Sequence, residues 1–221
     1  MSERQKTSIL PAGLYGITAE KYSAGRDNIE VVRQMIAGGI GIIQYREKKA
    51  AKSSSEIFAE CLKIREMTRA AGVTFIVNDH VDVAMLVGAD GVHVGQDDLP
   101  VADVRKLLGP GKIIGLSTHS PEQATEAVKC GADYIGVGPI FATKTKDDVC
   151  DAVGFSYLEW VRDNISLPWV AIGGIKLHNI DEIVRRGAKT ICLVTEIVGA
   201  PDIPKRIREL QAALDSDSPK S

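Results

Sequence analysis

Three basic side chains, two carboxylates and a glycine pair are the residues of this sequence whose types and spacing suggest joint chemistry. Arg46 and Lys48 lie in the run Gln44-Tyr45-Arg46-Glu47-Lys48, and Lys146 ends the run Thr143-Lys144-Thr145-Lys146. Arginine offers a planar fork and lysine a mobile point charge, a combination suited to a diphosphate. Asp79 and Asp98 supply two carboxylates, which repel at close range unless a proton or a cation intervenes. Hard oxygen ligands beside phosphate-binding cations point to magnesium, which takes one or two carboxylates together with substrate oxygens. Asp97 meets the same spacing as Asp98. Zinc fits poorly, because no His or Cys grouping provides three ligands. Gly173-Gly174, taken with Val194-Thr195, provides close backbone approach and a hydroxyl for a second phosphate.

These residues must be held by a scaffold, and the hydrophobic periodicity describes one. Short β-branched runs alternate with longer amphipathic stretches. Strands are expected at 13–18, 40–45, 73–77, 91–94, 112–116, 133–137, 169–172 and 190–194. Helices are expected at 28–37, 53–71, 81–87, 101–108, from Ser120-Pro121 onward, 155–164, 180–186 and 203–214. In the second helix Ile57, Cys61, Ile64 and Thr68 recur at helical spacing. Gly88-Ala89-Asp90, Gly131-Ala132-Asp133 and Gly187-Ala188-Lys189 repeat one helix-to-strand signal. Strands alternating with helices imply a parallel sheet, and eight such units favour a closed (β/α)8 TIM barrel of the α/β class over an open sheet. The catalytic domain is expected over 13–214, after an N-terminal extension 1–12 and before a disordered polar tail 215–221.

Barrels of this class carry their active sites at the carboxyl ends of the strands. Besides the residues above, Asn78-Asp79-His80, Ser117-Thr118-His119 and Val194-Thr195-Glu196 fall there, so polar residues converge on one mouth. His93 reads as a hydrogen-bonded structural residue and His119 as a binding or catalytic one. His80 and His178 read as surface or capping residues, and Trp160 and Trp169 as packing. The loop 138–154 is long enough to close over a substrate.

Composition narrows the classes of function. Of 221 residues 44% are hydrophobic and 25% charged, and the net charge of −2 gives no electrostatic case for nucleic acid or an anionic membrane surface. No apolar run approaches a membrane span. The polar start Met1–Ser8 lacks the apolar segment of a secretion signal, and Cys61, Cys130, Cys150 and Cys192 are scattered. A reduced, cytoplasmic, single-domain protein is expected, acting on small phosphorylated substrates and compatible with a homo-oligomer.

In order along the chain, Tyr15-Gly16-Ile17-Thr18, Ile43-Gln44-Tyr45-Arg46-Glu47-Lys48, Asn78-Asp79, Gly91 to Asp98, Gly115-Leu116-Ser117, Gly136 to Phe141, Thr143 to Lys146 and Ile172-Gly173-Gly174-Ile175 resemble the thiamine phosphate synthase family. The resemblance covers about Tyr15 to Leu214. Tyr45 stands where leucine is common, and Thr195 where serine is usual. The resemblance implies condensation of a hydroxymethylpyrimidine diphosphate with a hydroxyethylthiazole phosphate, or its carboxylated form, releasing diphosphate with magnesium as cofactor. By position, Gln44, Tyr45, Arg46, Glu47, Lys48, Asn78, Ser117 and Lys146 would hold the pyrimidine diphosphate. Arg46, Lys48, Ser117 and Lys146 would act on the leaving group. Asp79 and Asp98 would hold magnesium. Thr143, Lys144, Thr145, Gly173, Gly174, Val194 and Thr195 would hold the thiazole phosphate. A related thiazole tautomerase, which needs no diphosphate clamp, and a non-catalytic sensor of thiamine precursors are the competing readings. Another phosphate-binding barrel, such as an isomerase of amino-acid biosynthesis, has no evident use for the paired acids.

Overall fold

The computed structural model describes residues 10–47, 52–143 and 151–216. Eight parallel strands close into a barrel in sequence order, β1 pairing with both β2 and β8. The strands are β1 (Gly13–Ile17), β2 (Ile42–Tyr45), β3 (Thr74–Asn78), β4 (Gly91–Val94), β5 (Ile113–Thr118), β6 (Tyr134–Val137), β7 (Trp169–Ile172) and β8 (Thr190–Leu193). The helices are α1 (Asn28–Ala37), α2 (Ser54–Ala71), α3 (Val81–Val87), α4 (Val101–Leu108), α5 (Pro121–Lys129), α6 (Gly154–Asn164), α7 (Ile180–Arg185), α8 (Thr195–Val198) and α9 (Ile203–Ser216). No helix among the described residues is long and apolar enough to cross a membrane.

The start signals act as their chemistry requires. Ser53 caps α2 with a reciprocal capping box through Glu56, and Ser120 accepts from Gln123 N–H ahead of Pro121 in the first turn of α5. In α2 the stripe Ile57, Cys61, Ile64 and Thr68 is buried against the barrel. His80 occupies the N-cap position of α3 without a side-chain capping bond.

The repeated Gly-Ala-Asp signal has a definite task. Asp90 Oδ2 accepts from the backbone N–H of Phe75 at 2.8 Å, while the Arg65 guanidinium binds both oxygens at 2.8 and 2.9 Å. Asp133 Oδ2 repeats this with Ile114 N–H at 2.8 Å and with Arg105. Each carboxylate thus ties the start of one strand to its neighbour and to a helix. The third copy carries Lys189, whose backbone carbonyl accepts from Gly13 N–H and closes the barrel.

Side chains alternate across the strands. Leu14, Ile43, Tyr45, Phe75, Val77, Val92, Ile114, Ile135 and Ile191 pack outward under the helices, and Tyr15, Ile17, Ile42, Ile76, Tyr134, Val170 and Cys192 fill the interior. Leu10, only 2% exposed, joins that interior group, so this residue of the 1–12 extension is part of the barrel's packing. Likewise α9 runs through Ser216, so the first tail residues are helical. A 3-10 turn at Glu20–Tyr22 and the four-residue α8 are elements that periodicity does not announce.

Candidate active site

The carboxyl ends of the strands enclose a cavity of about 530 Å³. From the first half of the barrel Gln44, Arg46, Asn78, Asp79, Asp98 and Ser117 line it. From the second half come Thr143, Gly173, Gly174, Val194 and Thr195. Asp98, rather than Asp97, belongs to the lining. Lys48, Lys144, Thr145 and Lys146 lie outside the described residues.

Two expected site residues point elsewhere. Tyr45 is fully buried on the outer face of β2, where its hydroxyl donates to Glu60 Oε2 at 2.8 Å. The pleat explains this, because Gln44 faces the interior and its neighbour must face the helices. Glu47 turns away as well. Its Oε1 accepts from Glu20 N–H and from the Asn28 amide, both at 3.1 Å, bracing the turn after β1. Glu60 takes a second bond from Asn28 at 3.0 Å and pairs with Lys52, which also pairs with Glu20. Burial, joined by the carboxylate of Glu60, pushes the Tyr45 phenol well above its ordinary range. Both residues therefore support the strand that carries Arg46 instead of touching the cavity.

Asp79 sits at φ 60°, a left-handed conformation that a non-glycine residue adopts at a cost. Its N–H donates to the His93 carbonyl at 2.9 Å, which holds it beside β4. Asp98 Oδ2 accepts from Gly95 N–H at 2.7 Å. No cluster of three or more His, Cys, Asp or Glu is present among the described residues. A two-carboxylate arrangement of this kind fits a hard cation that completes its shell with water and substrate oxygens.

The glycine pair has a steric reason. Gly173 and Gly174 have φ 102° and 66°. A side chain on Gly173 would meet Pro139 at 2.4 Å, and one on Gly174 would meet the Phe141 Cβ at 2.7 Å. The loop after β6 lies across this turn, with Ile140 and Phe141 N–H donating to the carbonyls of Ile172 and Gly173. Thr195 opens α8, and the first amides of a helix have no intrahelical acceptor.

Several lining residues were not singled out by sequence. Lys176 is the most consequential, its Nζ lying 3.0 Å from Thr195 Oγ1 and 3.3 Å from Glu196 Oε2. A lone lysine after a Gly-Gly turn has the look of a solvated charge, so only the fold reveals it. Tyr15, Tyr22, Tyr134 and Cys192 also line the cavity. Period-two reading of β1, β6 and β8 could have found three of them. His93 is hydrogen-bonded through both ring nitrogens yet also lines the cavity. His119 lines it too, with Nδ1 hydrogen-bonded to the Gly138 carbonyl.

Comparison with known proteins agrees with this architecture. The profile of the family described as Thiamine monophosphate synthase matches residues 14–197. Thiamine-phosphate synthase of Pelotomaculum thermopropionicum is 66% identical over 211 residues, covering 96% of both chains. The protein of the same name from Lawsonia intracellularis is 58% identical over 207 residues, covering 94% of each. Among solved structures, thiamine phosphate pyrophosphorylase from Pyrococcus furiosus superposes with a TM-score of 0.85 at 34% identity, over 95% of this chain and 98% of that one. With a profile match across most of its length and relatives this similar end to end, the chain belongs to the thiamine monophosphate synthase family.

Proposed function

We propose that this enzyme, a transferase, joins a hydroxymethylpyrimidine diphosphate to a hydroxyethylthiazole phosphate and releases thiamine phosphate and diphosphate in the cytoplasm. The observation that supports the reading is that one cavity is lined by polar residues from both halves of the barrel. Arg46, Asn78, Asp79, Asp98 and Ser117 come from β2 to β5, and Gly173, Gly174, Thr195 and Lys176 from β7 onward. Two phosphorylated partners can therefore enter one space from opposite sides, with their reactive ends between.

The chemistry needs little more. The bond between the pyrimidine methylene and the diphosphate oxygen breaks, and its electron pair leaves with the diphosphate. The lone pair of the thiazole nitrogen then forms the new carbon–nitrogen bond. An electron-rich pyrimidine stabilises the intervening cation, so no general base is required. The demands are charge neutralisation on the leaving group and alignment of the partners, which are electrostatic and positional contributions. Arg46 and the Ser117 hydroxyl serve the first demand, joined by Lys48 and Lys146 from the flanking segments. The turn at Gly173-Gly174, the start of α8 and Lys176 serve the second by fixing the thiazole phosphate, with Thr143, Lys144 and Thr145 contributed by the loop after β6. The extra methyl of Thr195 leaves its hydroxyl available to the phosphate.

Asp79 and Asp98 would hold magnesium, and magnesium when bound neutralises charge on the diphosphate oxygens. Two carboxylates, that of Asp98 oriented by the Gly95 N–H, with substrate oxygens completing the shell, meet its requirements better than those of zinc.

Purified protein given both precursors and magnesium should form thiamine phosphate, identified by mass. Failure of a folded sample that still binds the thiazole phosphate would overturn the reading in favour of a tautomerase or a precursor sensor.

A further inference from the structure

Five side chains from five strands form one unbroken hydrogen-bonded chain through the barrel interior. Gln44 Nε2 donates to the Tyr15 hydroxyl at 2.8 Å. The Tyr15 and Tyr134 hydroxyls lie 2.9 Å apart, and Tyr134 lies 2.9 Å from His93 Nδ1. His93 Nε2 lies 2.9 Å from Ser117 Oγ. The two ends, Gln44 and Ser117, both line the cavity. Space for the chain is made by Gly115, where a Cβ would fall 2.1 Å from the Tyr134 ring.

Counting protons gives the chain a direction. Burial pushes the pKa of both phenols well above the ordinary range, so each keeps its single proton. The Tyr15 oxygen takes a proton bond from Gln44 and must give its own proton to Tyr134. Tyr134, having accepted one bond, gives its proton to His93 Nδ1. That nitrogen is then the acceptor, and the neutral imidazole carries its proton on Nε2, which donates to Ser117 Oγ. The hydroxyl proton of Ser117 is left over. Run the other way, with the Gln44 carbonyl toward Tyr15, every bond reverses and Ser117 must give its proton to His93. It would then offer the cavity lone pairs only. Diphosphate oxygens accept hydrogen bonds and donate none, so such a ligand needs the first direction.

We propose that Tyr15, Tyr134 and His93 are positioning residues that hold Ser117 as a hydrogen-bond donor aimed at the departing diphosphate. The same chain leaves the Gln44 carbonyl as the acceptor at its other end. None of the three touches the reacting atoms in this scheme. They act by removing the alternative proton arrangements, so the donor is in place before charge develops. The inference rests on the reading of this cavity as the pyrimidine diphosphate site.

The test combines a double-mutant cycle with a spectroscopic readout. Tyr134→Phe deletes one oxygen and keeps the ring. It should lower kcat/KM about tenfold, as expected when one oriented hydrogen bond is lost. In a Ser117→Ala background the same change should have almost no effect, because the residue it orients is gone. A merely structural role for Tyr134 would give the same factor in both backgrounds, and that result would overturn the proposal. Nitrogen-15 NMR of the wild-type enzyme with inorganic diphosphate bound should show His93 protonated at Nε2 and bare at Nδ1. A proton on Nδ1 would overturn it without any variant having to fold, and Tyr15→Phe provides a second break in the chain. An additive cycle in an active enzyme defeats the relay alone. A folded wild type that makes no thiamine phosphate defeats the site reading, and the proposal with it.

Discussion

The ammonium of Lys176 stands 3.0 Å from the hydroxyl of Thr195, joining the turn after β7 to the first residue of α8. Glu196, itself held at 3.0 Å by Arg206, balances the lysine charge from 3.3 Å. The lysine is thereby fixed at the rim beside the glycine pair, where a phosphate dianion would profit from it.

Lys176→Met should accordingly raise KM for the thiazole phosphate by about tenfold, the value of one charge-assisted hydrogen bond. Turnover at saturation should change little, because the interaction is made equally before and during the reaction. Steady-state kinetics with each substrate varied in turn separates the two effects. An unchanged KM would remove Lys176 from the phosphate site.

Gly174→Ala tests the turn itself. At φ 66° an alanine is strained, and its methyl would lie 2.7 Å from the Phe141 Cβ and 2.9 Å from the Ala142 carbonyl. A loss of about 1–3 kcal/mol of stability is expected from the conformation and the crowding. For a domain of this size that corresponds to a fall in Tm of roughly 2–4 °C per kcal/mol. Calorimetry reads the stability. A parallel rise in KM for the thiazole phosphate, with little change for the pyrimidine diphosphate, would locate the turn in the thiazole half.

Asp133→Ala removes an acceptor from Ile114 N–H and from Arg105 together. Leaving a backbone N–H without its partner costs about 1–3 kcal/mol, so the urea midpoint should fall while the slope of the transition stays the same. Asp90→Ala should behave alike, through Phe75 and Arg65. Lys189→Ala, at the third copy of the same signal, should cost much less, since its contribution to the barrel is a backbone carbonyl.

Burial pushes the Cys61 thiol up from its ordinary 9.0 to about 12, and burial raises Cys192 as well. The folded chain therefore binds protons that the unfolded chain would release. Stability from these thiols is complete below about pH 9 and declines as pH rises from there toward about 12. Denaturant titrations at pH 8 and pH 10 should show that fall. At pH 8 Cys61 and Cys192 should resist a thiol reagent until the protein unfolds, and rapid labelling in the native state would contradict their placement.

Much of this was legible in the sequence for physical reasons that can be named. The bounds of α3, β4, α4 and β7 coincide with the hydrophobic pattern, because each is closed by glycine, proline or a polar cap. The rule that strand ends carry the site brought Gln44, Arg46, Asn78, Asp79, Asp98 and Ser117 together from separate parts of the chain. What escaped was what sequence spacing does not encode. Tyr45 was grouped with its neighbours, although a pleated strand sends adjacent residues to opposite faces. Lys176 and α8 escaped because one lysine and four residues make no pattern. The interior chain of Tyr15, Tyr134 and His93 escaped because its members lie on β1, β6 and β4 and meet only when the barrel closes. Thr118, expected beyond the end of β5, lies within it, its hydroxyl fixed to the Gly136 carbonyl at 2.9 Å.

The central claim is that diphosphate departure and thiazole capture are two successive steps at this one mouth, and that every diphosphate released is matched by one thiamine phosphate formed. The most direct measurement is the mass balance of diphosphate and thiamine phosphate formed by the purified enzyme, with the thiazole phosphate present or withheld and with magnesium present or chelated. The account predicts equal amounts of both products when everything is present, and loss of both when the metal is chelated. Diphosphate released without thiamine phosphate in the complete mixture, or full turnover with the metal removed, would contradict it.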